Sequence, residues 1–420
     1  MLKFIFIRMV NRLKEKSLNI ISKFKYELSV FLLLCIQGCI DTTVFRGMDP
    51  GYYGYYLADF SMGKTSRLLI GSFVNLLTDK PTVEWMNGFA AVVLVLVYFF
   101  TAVLIGRVIK STDSNLRPCI IIFSLFSVSG AFGVYTFSRF FGLLDIYMYL
   151  FTVLSVVAVR NKMFRWLIPL FCIGGVLINY VYTIAYFPLI AAVLLYLIFT
   201  QEKKTGNIIL FTVMCAVTVA LMFYCAFVGK ETATFTFEEM HKIMEQKLGE
   251  ELTYDQIHYF DYYLYGSHEN EERLGVDMSG MTPVEFISAL LWYLREEGYN
   301  FSGIRTVAIG ALPIFAVFWV IWIKCMKNAQ TKPRKFVYLC FMLVPVFALV
   351  CCILSTDMTR WAAAGLIVQF GLGMFMFAMK DEPFEKTVLY FKEKLKGKGF
   401  IVAAVWLVYA SGISLFTITG

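Results

Sequence analysis

Long apolar runs separated by short clusters of lysine and arginine recur along most of this chain, and no other feature restricts its fold so strongly. Inside a bilayer every backbone N–H and C=O must be satisfied within the protein, so such runs are read as helices. Only 16% of the residues are charged and the mean hydropathy is +0.68, against about 25% charged residues in an ordinary soluble domain. A membrane β-barrel needs segments of about ten residues with alternating polarity, and none is visible. The pattern predicts an all-α polytopic membrane protein.

About eleven spans are expected, over 28–46, 88–108, 118–135, 140–159, 164–179, 182–200, 207–228, 305–324, 336–354, 361–379 and 400–417. The lysine and arginine bias sets the orientation. With the N-terminus in the cytoplasm, 26 of the 38 basic residues fall on the inner side, which predicts an N-in, C-out topology in the plasma membrane with an extracytoplasmic working face. No charge marks the turn between 164 and 200, where Asn179, Tyr180 and Tyr182 form the only break. Residues 1–27 read as a basic amphipathic segment lying on an anionic inner leaflet. Residues 28–228 then carry the first seven spans, and 304–420 the last four.

Two outer segments are too long to be turns, 47–87 and 229–303. The second holds fifteen acidic and five basic residues. Capping boxes at Thr236-Phe-Glu-Glu239, Thr253-Tyr-Asp-Gln256 and Thr282-Pro-Val-Glu285 predict a small helical domain there. The cysteines lie almost entirely within apolar runs and read as packing residues. His241, His258 and His268 show no metal-ligand spacing, so no metal site is assigned. A P-loop, a dinucleotide fingerprint and a G-x-S-x-G elbow are all absent, so ATP-driven transport and serine hydrolysis have no support. The basic clusters are short and lie beside spans, which suits anionic lipid rather than nucleic acid.

Ionisable groups converge on the outer face. The first loop carries Asp41, Asp49 and Asp59 beside Lys64 and Arg67. Asp49 with Pro50 predicts a helix start, Gly63 a helix end, and Ser66 a second short helix through Leu77. Arg139 opens the fourth expected span, and Asp145 lies deeper in it, where an ionisable side chain marks a functional site or a buried pair that fixes helix packing. Between the ninth and tenth spans, Asp357 and Arg360 stand three apart. They either pair locally or leave Arg360 to clamp a phosphate through its fork of donors.

An acidic residue just outside the first span, in a loop of two surface helices, resembles the C-type (GT-C) integral-membrane glycosyltransferases of bacterial cell-surface polysaccharide pathways. Asp49, the run Gly63-Lys-Thr-Ser-Arg67-Leu-Leu-Ile-Gly71, Arg139 to Asp145, Tyr180 to Pro188, and Asp357 to Arg360 carry that likeness. The acidic doublet common in that superfamily's first loop is absent. The resemblance implies transfer of a sugar from a polyprenyl-phosphate donor to an extracytoplasmic glycan or lipid-linked acceptor. Asp49 would then be the base, with Asp41 and Asp59 in reserve. Arg67, Arg139 and Arg360 would hold phosphate, with Lys64, Asp145 and Asp357 nearby, and a groove between spans would hold the lipid tail. The cofactor is unknown; such chemistry admits a divalent cation. A polysaccharide polymerase is the nearest rival, and a transporter or lipid flippase using Asp145 as a coupling carboxylate is a rival of another class.

Overall fold

The computed structural model describes residues 22–40, 43–130, 132–161, 163–200, 204–232, 235–253, 256, 305–354 and 358–418. Every regular element among them is helical. Residues 1–21 of the amphipathic segment, Asp41, Asp357 and most of the acidic outer segment, including its third capping box, lie outside the described residues.

Among the described residues, five helices are long and apolar enough to cross a membrane: Val83–Ser111, Thr205–Val228, Thr306–Asn328, Lys332–Cys352 and Met358–Met379. Shorter apolar helices run over Arg117–Val128, Asp145–Val159, Phe164–Ile178 and Phe187–Thr200. Twelve to fifteen residues give about 18–22 Å of helix, less than the ~30 Å hydrocarbon core. These pieces are extended by irregular backbone that is itself buried, which a membrane tolerates only inside protein.

The main deviation from expectation lies between Ser129 and Leu144. The third and fourth runs were expected as helices through Tyr135 and from Phe140. Instead α4 (Arg117–Val128) stops at Ser129, a short helix covers Thr136–Arg139, and α5 begins at Asp145. Arg139 therefore closes a short helix, and Asp145 opens α5. Gly142 supplies the reason: its φ of +89° lies in the left-handed region, where a side chain is strained. The turn also lets Met48 pack directly on Gly142, since a Cβ there would come within 2.6 Å of the Met48 Cβ.

Around this break, α1 (Lys25–Ile40) packs on α3 (Val83–Ser111), and α5 (Asp145–Val159) on α6 (Ile168–Ile178). The ambiguous break falls at Asn179, which ends α6 in extended backbone and accepts the Val181 N–H at 3.2 Å. After the short helix Tyr182–Ala185 comes α7 (Phe187–Thr200). The α8 helix (Thr205–Phe223) continues through a wide turn to Val228. The first capping box forms as expected. Thr236 and Glu239 cap α9 (Phe237–Leu248) reciprocally, and at the second box the Thr253 N–H donates to Gln256. In the second half, α10 (Leu312–Asn328), α11 (Lys332–Leu354) and α12 (Met358–Met379) pack in sequence.

Two further helices follow. The α13 helix (Glu382–Leu395) is amphipathic and was not anticipated. Asp381 caps it, with Pro383 in its first turn. The same buried carboxylate accepts from Tyr196 at 2.9 Å, Arg334 at 2.7 Å and Tyr338, locking α7, α11 and α13 together at one end of the bundle. The chain closes with α14 (Gly399–Ile418).

Candidate functional site

Asp145 and Arg360, 215 residues apart in sequence, meet in the interior. The Arg360 Nε lies 3.2 Å from Oδ1 and 3.1 Å from Oδ2 of Asp145. Their side chains are 14% and 4% exposed for Arg360 and Asp145 respectively. Asp145 occupies the first turn of α5 and Arg360 the first turn of α12. Two helix N-termini thus face the same spot, and each contributes a partial positive charge. The guanidinium also sits over the Trp361 ring, 4.2 Å from its centroid. Tyr186, on the turn before α7, feels both charges.

The first loop is fastened to this place. Asn87 accepts the Met48 N–H at 2.8 Å, and Met48 covers Gly142. Tyr56 is buried; its hydroxyl lies 2.9 Å from the Gly142 carbonyl and 3.0 Å from the Tyr147 hydroxyl. From Met48 on Gly142, chain geometry keeps the Asp49 and Asp145 Cα atoms within roughly 20 Å. Gly71 makes a second tight approach, since any Cβ there would stand 1.8 Å from the Ala58 carbonyl oxygen.

Of the three expected loop carboxylates, Asp41 lies outside the described residues, and the other two fare differently. Asp49 is exposed and caps a single helical turn by accepting the Gly51 N–H at 2.8 Å. Asp59 is buried at 4% exposure, accepting from the Ser61 N–H at 2.7 Å and pairing with Lys247 at 2.5 Å. Burial alone pushes the Asp59 carboxyl up, but the Lys247 ammonium and the Ser61 bonds outweigh it and hold it below the ordinary value. Asp59 is therefore committed to docking α9. Burial raises the Tyr53 phenol, and the carboxylates of Asp49, Glu250 and Glu84 raise it further, so acids from three segments surround that ring.

The cations differ as well. Lys64 is exposed, and its backbone N–H donates to Thr232 at 2.7 Å. The Thr65 hydroxyl donates to the Cys225 carbonyl at 3.0 Å. Arg67 adopts φ +69°, unusual for a residue with a side chain. In that conformation its N–H reaches the Leu177 and Ile178 carbonyls at 2.9 and 3.1 Å, closing the end of α6. Arg139 is half-buried at the end of its short helix, which adjoins the turn Thr43–Arg46. The expected helix from Ser66 to Leu77 starts later, at Leu69, because Arg67 is left-handed. The local pairing of Arg360 with Asp357 lies outside the described residues; among the described residues Arg360 meets Asp145.

An apolar slot lies further along α5 and α12 from the Asp145–Arg360 pair, and neither Asp145 nor Arg360 lines it. It has a volume of about 120 Å³ and is lined by Leu104, Tyr149, Val153, Ile367 and Phe370, with Arg160 at its far end. Tyr149 stands one turn after Asp145, about 6 Å along the axis. Its hydroxyl lies 3.3 Å from that of Thr101.

Sequence reasoning missed Lys247, Gly142, Tyr147 and the Asp381 lock. The motif Asp381-Glu-Pro383 is a helix-start signal that could have revealed α13; no local signal points to Lys247. Among the described residues, no three His, Cys, Asp or Glu side chains gather into a metal site. No family model, curated protein or solved structure matches this chain.

Proposed function

We propose that this membrane protein is a glycosyltransferase that moves a sugar from a polyprenyl phosphate to an acceptor hydroxyl on the extracytoplasmic face. It would be built on about eleven spans, N-in and C-out. The observation that carries this reading is the meeting of Asp145, Arg360 and two helix N-termini, on two helices that further along line an apolar slot, with the first loop pinned to the turn before Asp145. A lipid phosphate needs fixed positive charge where the leaving anion develops and a dry path for its chain.

In this scheme the acceptor oxygen attacks the anomeric carbon, and the bond from that carbon to the phosphate oxygen breaks. The polyprenyl phosphate leaves with the electron pair, and the acceptor proton passes to a carboxylate. Asp49 suits that role because it is solvent-facing, whereas Asp59 is engaged by Lys247. Arg360 would meet the phosphate, with Arg67 and Arg139 as further cations and Lys64 at the rim. A cavity of ~150 Å³ holds one benzene, so the slot suits about one isoprene unit, with the rest of the tail outside it.

The test is release of polyprenyl phosphate from a labelled polyprenyl-phosphate sugar by the purified protein in lipid. Turnover that survives both Asp49→Asn and Arg360→Met would remove these residues from the site. Ladder-like products from a lipid-linked repeat unit would favour a polymerase. The buried ion pair also suits a transporter that uses Asp145 as its coupling carboxylate; translocation into liposomes without any bond change would favour that reading.

A further inference from the structure

A second apolar feature lies away from the site, beside the last helix. The α14 helix packs on α4 and on the turn Thr306–Ala311. At one end it is pinned by Trp406, whose Nε1 donates to the Ser129 hydroxyl at 3.1 Å, and by Tyr409, whose hydroxyl reaches the Ile309 and Gly310 carbonyls at 2.6 Å. At the other end, a Cβ at Gly399 would come within 2.9 Å of Ile122. Between these ends α14 stands away from α10. Two cavities of about 460 and 400 Å³ fill the gap. They share Phe123, Phe126, Val317, Ile321 and Val402, so they form one groove.

The groove is apolar along its length and charged at one mouth. Lys392 lines it there, held by Asn115 through a 2.7 Å bond to the carbonyl. The adjoining stretch Lys392-Glu-Lys-Leu-Lys-Gly-Lys398 carries four lysines against one glutamate, and Lys394, Lys396 and Lys398 are exposed. Lys324 lies at the same end, 4.0 Å from the centroid of the Tyr390 ring. A dry channel with a cluster of ammonium groups at its mouth matches one chemistry: a hydrocarbon chain bearing an anionic head.

We propose that this groove is a specific binding site for one anionic bilayer phospholipid. Its acyl chain would lie between α10 and α14, and its head group on the Lys392–Lys398 turn. Lysines near a membrane surface attract anionic head groups, so the turn selects for charge while the groove holds the chain. A second copy of the protein fits less well, because pairing through this face would bring two lysine-rich turns together. The site is separate from the Asp145–Arg360 pair, and its test does not depend on the proposed transferase activity.

The experiment is native mass spectrometry and thermal unfolding of the full-length protein in neutral detergent, titrated with phosphatidylglycerol or with phosphatidylcholine of the same chains. One phosphatidylglycerol should bind per protein and raise the unfolding midpoint, and phosphatidylcholine should bind at least tenfold more weakly. Lys394→Gln with Lys396→Gln and Lys398→Gln should abolish that preference. Val317→Trp, which fills the groove, should abolish retention while leaving the lipid-free midpoint within a few degrees of the parent. Equal binding of the two lipids, or unchanged binding by both variants, overturns the proposal. So does displacement of phosphatidylglycerol by equimolar polyprenyl phosphate, or a stable dimer that Val405→Lys dissociates.

Discussion

Replacing the two partners of the buried ion pair, singly and together, tests both the fold and the site. Asp145→Leu leaves Arg360 in the interior with a cation facing two positive helix ends. Arg360→Met leaves Asp145, an anion, facing the same two ends. Removing one partner of a buried pair costs about 3–5 kcal/mol, and Arg360, at 14% exposure, sets the lower end of that range. The helix ends oppose the remaining arginine and favour the remaining aspartate, each end by about 0.3–1 kcal/mol. Asp145→Leu should therefore be worse than Arg360→Met by at least about 1 kcal/mol. The double replacement should fall well short of the sum of the two, since an apolar pair of similar volume is often neutral or stabilising. Equilibrium unfolding in mixed detergent micelles, followed by labelling of the buried Cys351 and Cys352, reads all three variants. Equal costs for the single variants, or additive costs in the double, would refute the reasoning about charge. A folded double variant should release no polyprenyl phosphate; full turnover in that variant removes Arg360 from the proposed phosphate site.

Three further outcomes are expected. Arg67→Gly should be tolerated better than Arg67→Ala by about 1 kcal/mol because of its φ of +69°; both should lose turnover alike if the guanidinium serves the donor, and thermal midpoints beside initial rates check this. Gly71→Ala should cost about 1–3 kcal/mol or more, because the new methyl group meets the Ala58 carbonyl oxygen; reduced yield and an earlier unfolding midpoint are the readout. The Asp59–Lys247 pair should make docking of α9 acid-sensitive. The folded carboxyl lies below its ordinary 3.8, so its stabilisation is present above that value and is lost as pH falls through the lower, folded one. In Lys247→Met only burial and the Ser61 bonds act on the carboxyl, so release should move to higher pH, measured by hydrogen exchange over residues 237–248.

Helix content was legible because continuous apolar runs form helices in lipid, and the break at Asn179 was legible because Asn179, Tyr180, Tyr182 and Thr183 put polar groups in the middle of 164–200. The stretch from Ser129 to Leu144 was not. Its four phenylalanines, Val134, Leu143 and Leu144 have the hydropathy of a span, and only the close approach of Met48 to Gly142 shows why a left-handed turn interrupts it. Asp145 and Arg360 could be placed at one level of the bundle from sequence, but their pairing depends on two helix starts brought together by packing over 215 residues. Lys247 was hidden for another reason: α9 is highly charged, FEEMHKIMEQKL, so one more lysine carries no signal until its contact with Asp59 is seen. The α13 helix was hidden by its lysines, which the basic bias assigned to a loop.

The first loop shows how the same residue types divide between holding a fold and serving a reaction. Asp59, the hydroxyl of Thr65 and the backbone of Arg67 fasten the loop to α9, to the end of α8 and to the end of α6. Those attachments make the loop a fixed platform rather than a free turn, because three separate helices must move before it does. Asp49 belongs to the same platform, but its side chain closes only its own short turn and faces solvent. Asparagine caps a helical turn about as well as aspartate, so Asp49→Asn removes a base while leaving the platform intact. Of Asp49 and Asp59, Asp49 is thus the one whose loss leaves the loop's attachments intact. The proposed transfer would ask for such a fixed loop with a solvent-facing carboxylate, and Asp49→Asn is the variant that tests it.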